Sequence, residues 1–189
     1  MQPIIKQRKT YIELIILISF VAALGVATYQ RNLIWRDEFR LWSDVVGKSP
    51  DKARPHNNLG LAHLRNKAHG QAIRQFLKAL DLKPTFVEAH YNLGIAYQGI
   101  GLYNRAVLAY QKVLAAHQCL PGDETRLRFY FGELHNNLGV CYFTIGRVNQ
   151  ALSEFQEAIK IRPDHANARY NLEIASKIIK NAKRPTLIK

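Results

Sequence analysis

Four six-residue stretches of this chain are variations on one theme, and their spacing constrains the fold more tightly than any other feature. Asn57-Asn58-Leu59-Gly60-Leu61-Ala62 is followed by Tyr91-Asn92-Leu93-Gly94-Ile95-Ala96, Asn136-Asn137-Leu138-Gly139-Val140-Cys141 and Tyr170-Asn171-Leu172-Glu173-Ile174-Ala175, at intervals of 34, 45 and 34 residues. A second set follows each of the first three: Ala72, Phe76 and Ala79; Ala106, Tyr110 and Val113; Ala151, Phe155 and Ala158. Pro84 and Pro163 close the first and third copies. Both parts of a copy carry an apolar stripe at helical spacing. The junctions His-Gly, Gly-Ile-Gly-Leu and Thr-Ile-Gly lie between them, so each copy predicts two antiparallel helices joined by a short turn. One such hairpin cannot bury its apolar face alone, whereas stacked neighbours can, and the expected fold is therefore an all-α solenoid of helical hairpins.

The period, the Leu-Gly pair, the alanine with an aromatic four residues on and the closing proline resemble the tetratricopeptide repeat. The resemblance implies repeats over residues 53–86, 87–120 and 132–165. Gly60, Gly94 and Gly139 omit a side chain where the second helix approaches closely, and Phe76, Tyr110 and Phe155 are expected to fill the wedge between one hairpin and the next. Counting back in register puts Pro50 where Pro84 and Pro163 stand, and Trp42 where Phe76 stands. Arg36 to Lys48 thus reads as the second helix of a half-repeat, with its junction over residues 31–52. Its first-helix slot, residues 19–33, falls on the end of an apolar segment. Residues 166–180 read as a terminal capping helix in which Glu173 replaces the glycine, and residues 181–189 as a basic tail.

The 45-residue interval holds an insertion, residues 121–131, that opens on Pro121-Gly122-Asp123-Glu124. This reads as a turn and a helix start, extending the next first helix backward through Arg126, Arg128, Phe129, Tyr130 and Phe131. Two readings stay open: an edge that takes part in binding, or an overhang whose aromatics cover neighbouring apolar surface.

Residues 1–10 form a basic flank with Lys6, Arg8 and Lys9, and residues 11–30 read as a single N-terminal transmembrane helix. Leu14 to Ala27 carries no charge, Glu13 lies near the first boundary, and Tyr11 and Tyr29 mark the ends as interfacial aromatics do. A secretory signal would have a shorter apolar core and a small-x-small cleavage site, where this chain has Tyr29-Gln30-Arg31-Asn32. A buried soluble helix would need cover on every side, which a chain this small hardly provides. Basic residues before and after the segment balance, and the free amino terminus favours a cytoplasmic N-terminus. The repeats would then lie on the periplasmic side of a bacterial inner membrane, with Trp35 and Trp42 at or near the interface.

Lys and Arg outnumber Asp and Glu by 27 to 14, a formal charge of +13 that favours anionic partners, lipid headgroups among them. The basic residues are scattered over the helices with no recognised motif, which argues against nucleic acid. The C-terminal Lys177 to Arg184 stretch reads as a solvated helix end or a surface for an acidic partner or headgroups. Cys119 and Cys141 lack a CxxC or any ligand cluster; ordinary buried thiols are the favoured reading, with a disulfide open in an oxidising compartment. No phosphate-cradling loop, HExxH or G-x-S-x-G is present, and the histidines form no metal-ligand spacing, so neither catalysis, cofactor nor metal is expected.

The resemblance implies a concave face lined by the first helices. It takes Arg54, Asn57, Asn58, Leu61 and Arg65 from the first repeat, Glu88, Tyr91, Asn92, Ile95 and Gln98 from the second, and Glu133, Asn136, Asn137, Val140 and Phe143 from the third. Asn58, Asn92, Asn137 and Asn171 form a ladder of amides that either meets an extended peptide or braces neighbouring helices. Chaperone-binding relatives clamp a carboxylate with basic residues and asparagines; Arg54, Asn58 and Asn92 match, but Glu133 and Asn137 replace basic residues. The function expected is a non-catalytic, membrane-anchored scaffold that binds or braces a protein partner as an accessory subunit of a membrane complex. An alternative comes from Arg31-Asn32, Ile34 to Glu38, Leu41-Trp42, Val45-Val46, Ser49-Pro50 and Ala53 to Gly60. These resemble the passage from the last transmembrane helix to the repeat tail in multi-pass glycosyltransferase-like proteins, implying a detached tail that serves such an enzyme. Self-association of a structural subunit is a third reading, since unpaired terminal helices permit stacking.

Overall fold

A computed structural model describes the backbone of residues 2–116 and 124–182, and the side chains of 13–32, 37–116 and 127–181. The regular structure among these residues is helical: α1 Gln2–Arg36, α2 Glu38–Lys48, α3 Ala53–Arg65, α4 His69–Leu82, α5 Val87–Gly99, α6 Tyr103–Ala115, α7 Glu124–Thr144, α8 Val148–Ile161 and α9 Ala166–Ala182. The helices pair as α3 with α4, α5 with α6 and α7 with α8, and each second helix packs on the next first helix. The result is an all-α solenoid of hairpins, entered through α2 and ended by α9.

Local chemistry sets where the elements break. Asp37 separates α1 from α2: its side chain accepts from the backbone N–H groups of Phe39 at 2.9 Å and Arg40 at 3.4 Å, capping α2. The half-repeat helix therefore starts at Glu38, two residues later than the apolar stripe alone suggests, and Arg36 belongs to α1. The turns inside the hairpins share one register position, in left-handed backbone at Lys67 (φ 56°), Gly101 (φ 76°) and Gly146 (φ 79°). Glycine takes that conformation freely, whereas Lys67 holds it against the Cβ penalty. Gly70, which reads as the first junction, lies inside α4 instead.

Inside each hairpin one aromatic ring seats on one glycine. A Cβ on Gly60 would lie 2.4 Å from the Phe76 ring, one on Gly94 2.4 Å from Tyr110 and one on Gly139 2.5 Å from Phe155. All three rings are fully buried, as are Ala72, Ala106 and Ala151 one helical turn before them. The rings thus lie first against their own hairpin's glycine, where the sequence reading assigned them to the space between hairpins. The larger core cluster carries the packing across hairpins, from Phe76 through Leu93, Tyr97 and Val107 to Leu134, Leu138 and Cys141. Burial pushes the Cys141 thiol up to about 12, so it packs as a small apolar group. Cys119 lies outside the described residues.

Tyr110 also donates from its hydroxyl to Gln98 Oε1 at 3.0 Å, which leaves its ring no room to swing away from α5. Gly94→Ala is accordingly expected to cost about 1–3 kcal/mol by overpacking, although alanine is the better helix former. Denaturant unfolding of the two proteins checks this: a midpoint equal to or above that of the parent would contradict the ring-on-glycine account.

Candidate protein-binding face and membrane junction

The asparagines of the first helices are tied to one another. Asn92 Nδ2 donates to Asn57 Oδ1 at 2.9 Å, Asn137 Nδ2 to the Tyr91 hydroxyl at 3.4 Å and Asn171 Nδ2 to Asn136 Oδ1 at 2.9 Å. One rule covers all three: the second residue of each motif donates to the first residue of the motif before it. Asn57, Asn92 and Asn136 are buried, and Asn57 Nδ2 also donates to Asn58 Oδ1 at 3.3 Å. The ladder therefore braces α3 to α5, α5 to α7 and α7 to α9, with Asn57, Asn92 and Asn136 buried in it and Asn58, Asn137 and Asn171 half-buried. These contacts are the bracing role, one of the two open to the ladder.

Other expected lining residues are engaged as well. Gln98 accepts from Tyr110, Arg65 pairs with Glu38 of α2, and Glu133 Oε1 accepts from Arg162 at 3.0 Å. His165 is 1% exposed; its Nε2 lies 3.6 Å from Glu133 Oε2, while its Nδ1 accepts from the Ala168 N–H at 3.5 Å. Desolvation is the main cause holding the His165 pKa below its usual value, against the pull of Glu133. Tyr91 packs its ring 4.9 Å from Tyr130 and 5.9 Å from Tyr110. Burial, followed by the Glu133 charge, raises the Tyr91 pKa. Arg54 and Glu88 remain exposed, and Asn58, Leu61, Ile95, Val140 and Phe143 are half-buried. The face left open is thus an aliphatic and aromatic floor with one cation and one anion.

Helix α7 begins at Glu124, so its first turns overhang the body of the hairpin. Phe131 is buried and Tyr130 lies on Tyr91, the covering role. Phe129 is exposed, with the Arg162 guanidinium 4.4 Å from its ring centre, and Arg128 Nε donates to the Ile161 carbonyl at 3.1 Å. Residues 121–123 of the insertion lie outside the described residues.

The repeat-register histidines have a job the sequence reading missed. His56 Nε2 bonds the Pro50 carbonyl at 2.9 Å, His90 Nε2 the Pro84 carbonyl at 2.8 Å, and Arg169 donates to the Pro163 carbonyl. Each partner lies six residues back, where the chain turns from one repeat into the next. The insertion removes that proline ahead of His135, which pairs through Nδ1 with Glu154 at 2.7 Å, as His56 Nδ1 does with Gln75 at 2.8 Å. The shared spacing from a proline was the available signal. Among the described residues no group of three or more His, Cys, Asp or Glu side chains could hold a metal ion.

At the other end of the molecule, Glu13–Asn32 has a mean hydropathy of 1.7 and is 0% buried. By length and composition it is long and apolar enough to cross a membrane. Leu14, Ile15, Ile16, Phe20, Val21 and Tyr29 stand exposed along it. Trp42 is half-buried, unlike the fully buried rings at its register position, and α2 has no buried residue. Tyr11 and Trp35 lie on α1, with their side chains outside those described.

Paired helices stacked in this register define a repeat solenoid. Models of the tetratricopeptide repeat match residues 68–101, 87–116 and 132–165, so the chain carries tetratricopeptide repeats there. Among curated proteins it is 41% identical over 69 residues to the peroxisomal targeting signal receptor of Candida albicans, covering 36% of this chain and 12% of that one. It is 28% identical over 97 residues to protein O-mannosyl-transferase TMTC3 of Homo sapiens, covering 51% of this chain and 10% of that one. The chain thus spans about a tenth of the length of these relatives. The crystal structure of MamA superimposes with a TM-score of 0.65 at 22% identity, covering 75% of this chain and 77% of that one. The first TPR of Spaghetti (RPAP3), bound to the HSP90 peptide SRMEEVD, gives 0.59 at 16% identity, covering 68% and 94%. These two likenesses bear on the fold.

The ladder is testable apart from any partner. Asn92→Ala strands the buried Asn57 Oδ1 and is expected to cost about 1–3 kcal/mol, while alanine at the exposed Asn104 changes stability by less than about 0.5 kcal/mol. Equal melting of the two variants would show that Asn92 braces nothing.

Proposed function

We propose that this chain is a non-catalytic, membrane-anchored scaffold whose repeats hold or brace a protein segment beside the bilayer. The observation that carries the reading is the junction. A helix with a fully exposed apolar stretch of 20 residues passes, with only Asp37 between them, into a helix that packs on the first hairpin. An apolar stretch exposed in this way suits lipid better than water, and so short a connection holds the repeats close to the membrane surface. In this arrangement the N-terminus faces the cytoplasm and the repeats lie on the opposite side.

The binding face comprises Leu61, Tyr91, Ile95, Val140 and Phe143, with Arg54 and Glu88 as charged positions and Asn58 and Asn137 as amides at its margin. A segment with apolar side chains flanked by charges of both signs fits this lining, whereas a carboxylate clamp does not, because Asn92 is bound to Asn57 and Glu133 to Arg162. Glu173 in place of the ring-seating glycine weighs against stacking of another hairpin on α9, and so against end-to-end self-assembly through that face.

A second reading, a repeat tail that serves a glycosyltransferase-like enzyme, is favoured by the match to protein O-mannosyl-transferases over about half of this chain. In that case the partner is the enzyme, and the same face meets it.

Alkaline carbonate extraction tests the anchor. The full chain is expected to stay with the membrane pellet, and a chain lacking residues 13–32 to leave it with its helical content otherwise kept. Release of the full chain into the supernatant would contradict the anchored reading. In sealed vesicles with the cytoplasmic face outward, the repeats are expected to resist added protease.

A further inference from the structure

Between α1 and α2 lies a cleft of about 510 Å³. Ala27 and Arg31 line it from α1, and Leu41, Asp44, Val45 and Lys48 from α2. Residues between 27 and 31 of α1 and between 41 and 48 of α2 share this cleft, and with only Asp37 between the helices α2 folds back along the last turns of α1. Charged Asp44 and Lys48 therefore stand beside the turn of α1 from Ala27 to Arg31, at the C-terminal end of the stretch that composition alone marks as a span. Such groups are costly in hydrocarbon. If α1 crosses a bilayer, the hydrocarbon must end on the N-terminal side of Ala27, which leaves Tyr11 to Val26, about 24 Å of helix. A bilayer meets so short a span by thinning locally.

The cleft then opens at the level of the headgroups. Its walls combine apolar Ala27, Leu41 and Val45 with two cations and one carboxylate. Lys48 Nζ donates to Asp44 Oδ2 at 2.6 Å, which holds it along α2. Arg31 is exposed and has no ion-pair partner among the described residues.

We propose that this cleft binds the phosphate of an anionic phospholipid. Arg31 and Lys48 meet the phosphodiester, and Leu41, Val45 and Ala27 meet the glycerol and first methylenes. The proposal rests on the membrane-spanning reading of α1. It gives the junction a role in holding the solenoid at a fixed height and tilt, because one lipid bridges the two helices that join anchor and repeats.

The test titrates phosphatidylglycerol, phosphatidylcholine and glycerol 3-phosphate onto the detergent-purified full chain and counts bound molecules by native mass spectrometry. One phosphatidylglycerol is expected to bind in preference to phosphatidylcholine. The double variant Arg31→Gln/Lys48→Gln is expected to lose at least about fivefold in that affinity, and Asp44→Asn to gain. Lys78→Gln/Lys112→Gln, which removes the same charge from α4 and α6, should leave binding as it was. Unchanged helical content and melting of the Arg31→Gln/Lys48→Gln chain exclude misfolding as the cause. Binding unaffected by that double variant, equal affinity for the two lipids, or glycerol 3-phosphate binding as tightly as the lipid would each overturn the proposal. Carbonate extraction separates the failures: a chain that stays in the membrane while the double variant binds lipid normally refutes the cleft alone, and a chain that is extracted refutes the anchor beneath it.

Discussion

The fold depends on an absence, the missing side chain at Gly60, Gly94 and Gly139. At each, the place of a Cβ is taken by the ring of Phe76, Tyr110 or Phe155, so the two helices of a hairpin meet across a planar surface. That contact fixes the separation within a hairpin, and everything else is built on the spacing it sets. The second helix then presents its other side to the next first helix, and the first helices come near enough for asparagines to bond from one repeat to the next. Where the glycine is lost, at Glu173, no second helix follows among the described residues, and the carboxylate accepts instead from Lys177 on its own helix.

Much of this was legible because repetition displays its own register. The hairpins, their order and the identity of the seating glycines follow from residues that recur at 34, whichever structure they adopt. What the pattern did not reveal is the direction of a polar side chain that repetition makes look available. Asn92 and Asn57 are both recurrent polar residues on a first helix, and only the distance between helices decides whether they meet each other or a ligand. Histidines at 56 and 90 posed the same problem in reverse: their shared register was visible, but the carbonyl they hold belongs to a loop whose path the sequence does not state. Glu133 reads as groove lining until the insertion and the end of α8 bring Arg162 and His165 to it.

Helix boundaries at the membrane end show the same limit. The apolar run and the half-repeat were both visible, and register placed one inside the slot of the other. It took the Asp37 cap to show that they are two helices meeting at one residue, and the fold-back of α2 to show that charged side chains stand beside the C-terminal end of the apolar run. Trp42 has the register of a core ring but no glycine to seat it, and it is accordingly half-buried.

The open face of the first helices, close to the membrane, is the face proposed to receive a protein segment. A photo-crosslinking amino acid placed at Ile95, on that face, and separately at Leu108, which is 63% exposed on a second helix, distinguishes the faces in native membranes. A discrete crosslinked product is expected from position 95 and none from position 108. Crosslinking from position 108 with none from position 95 would place the partner on the opposite side of the solenoid and contradict that proposal.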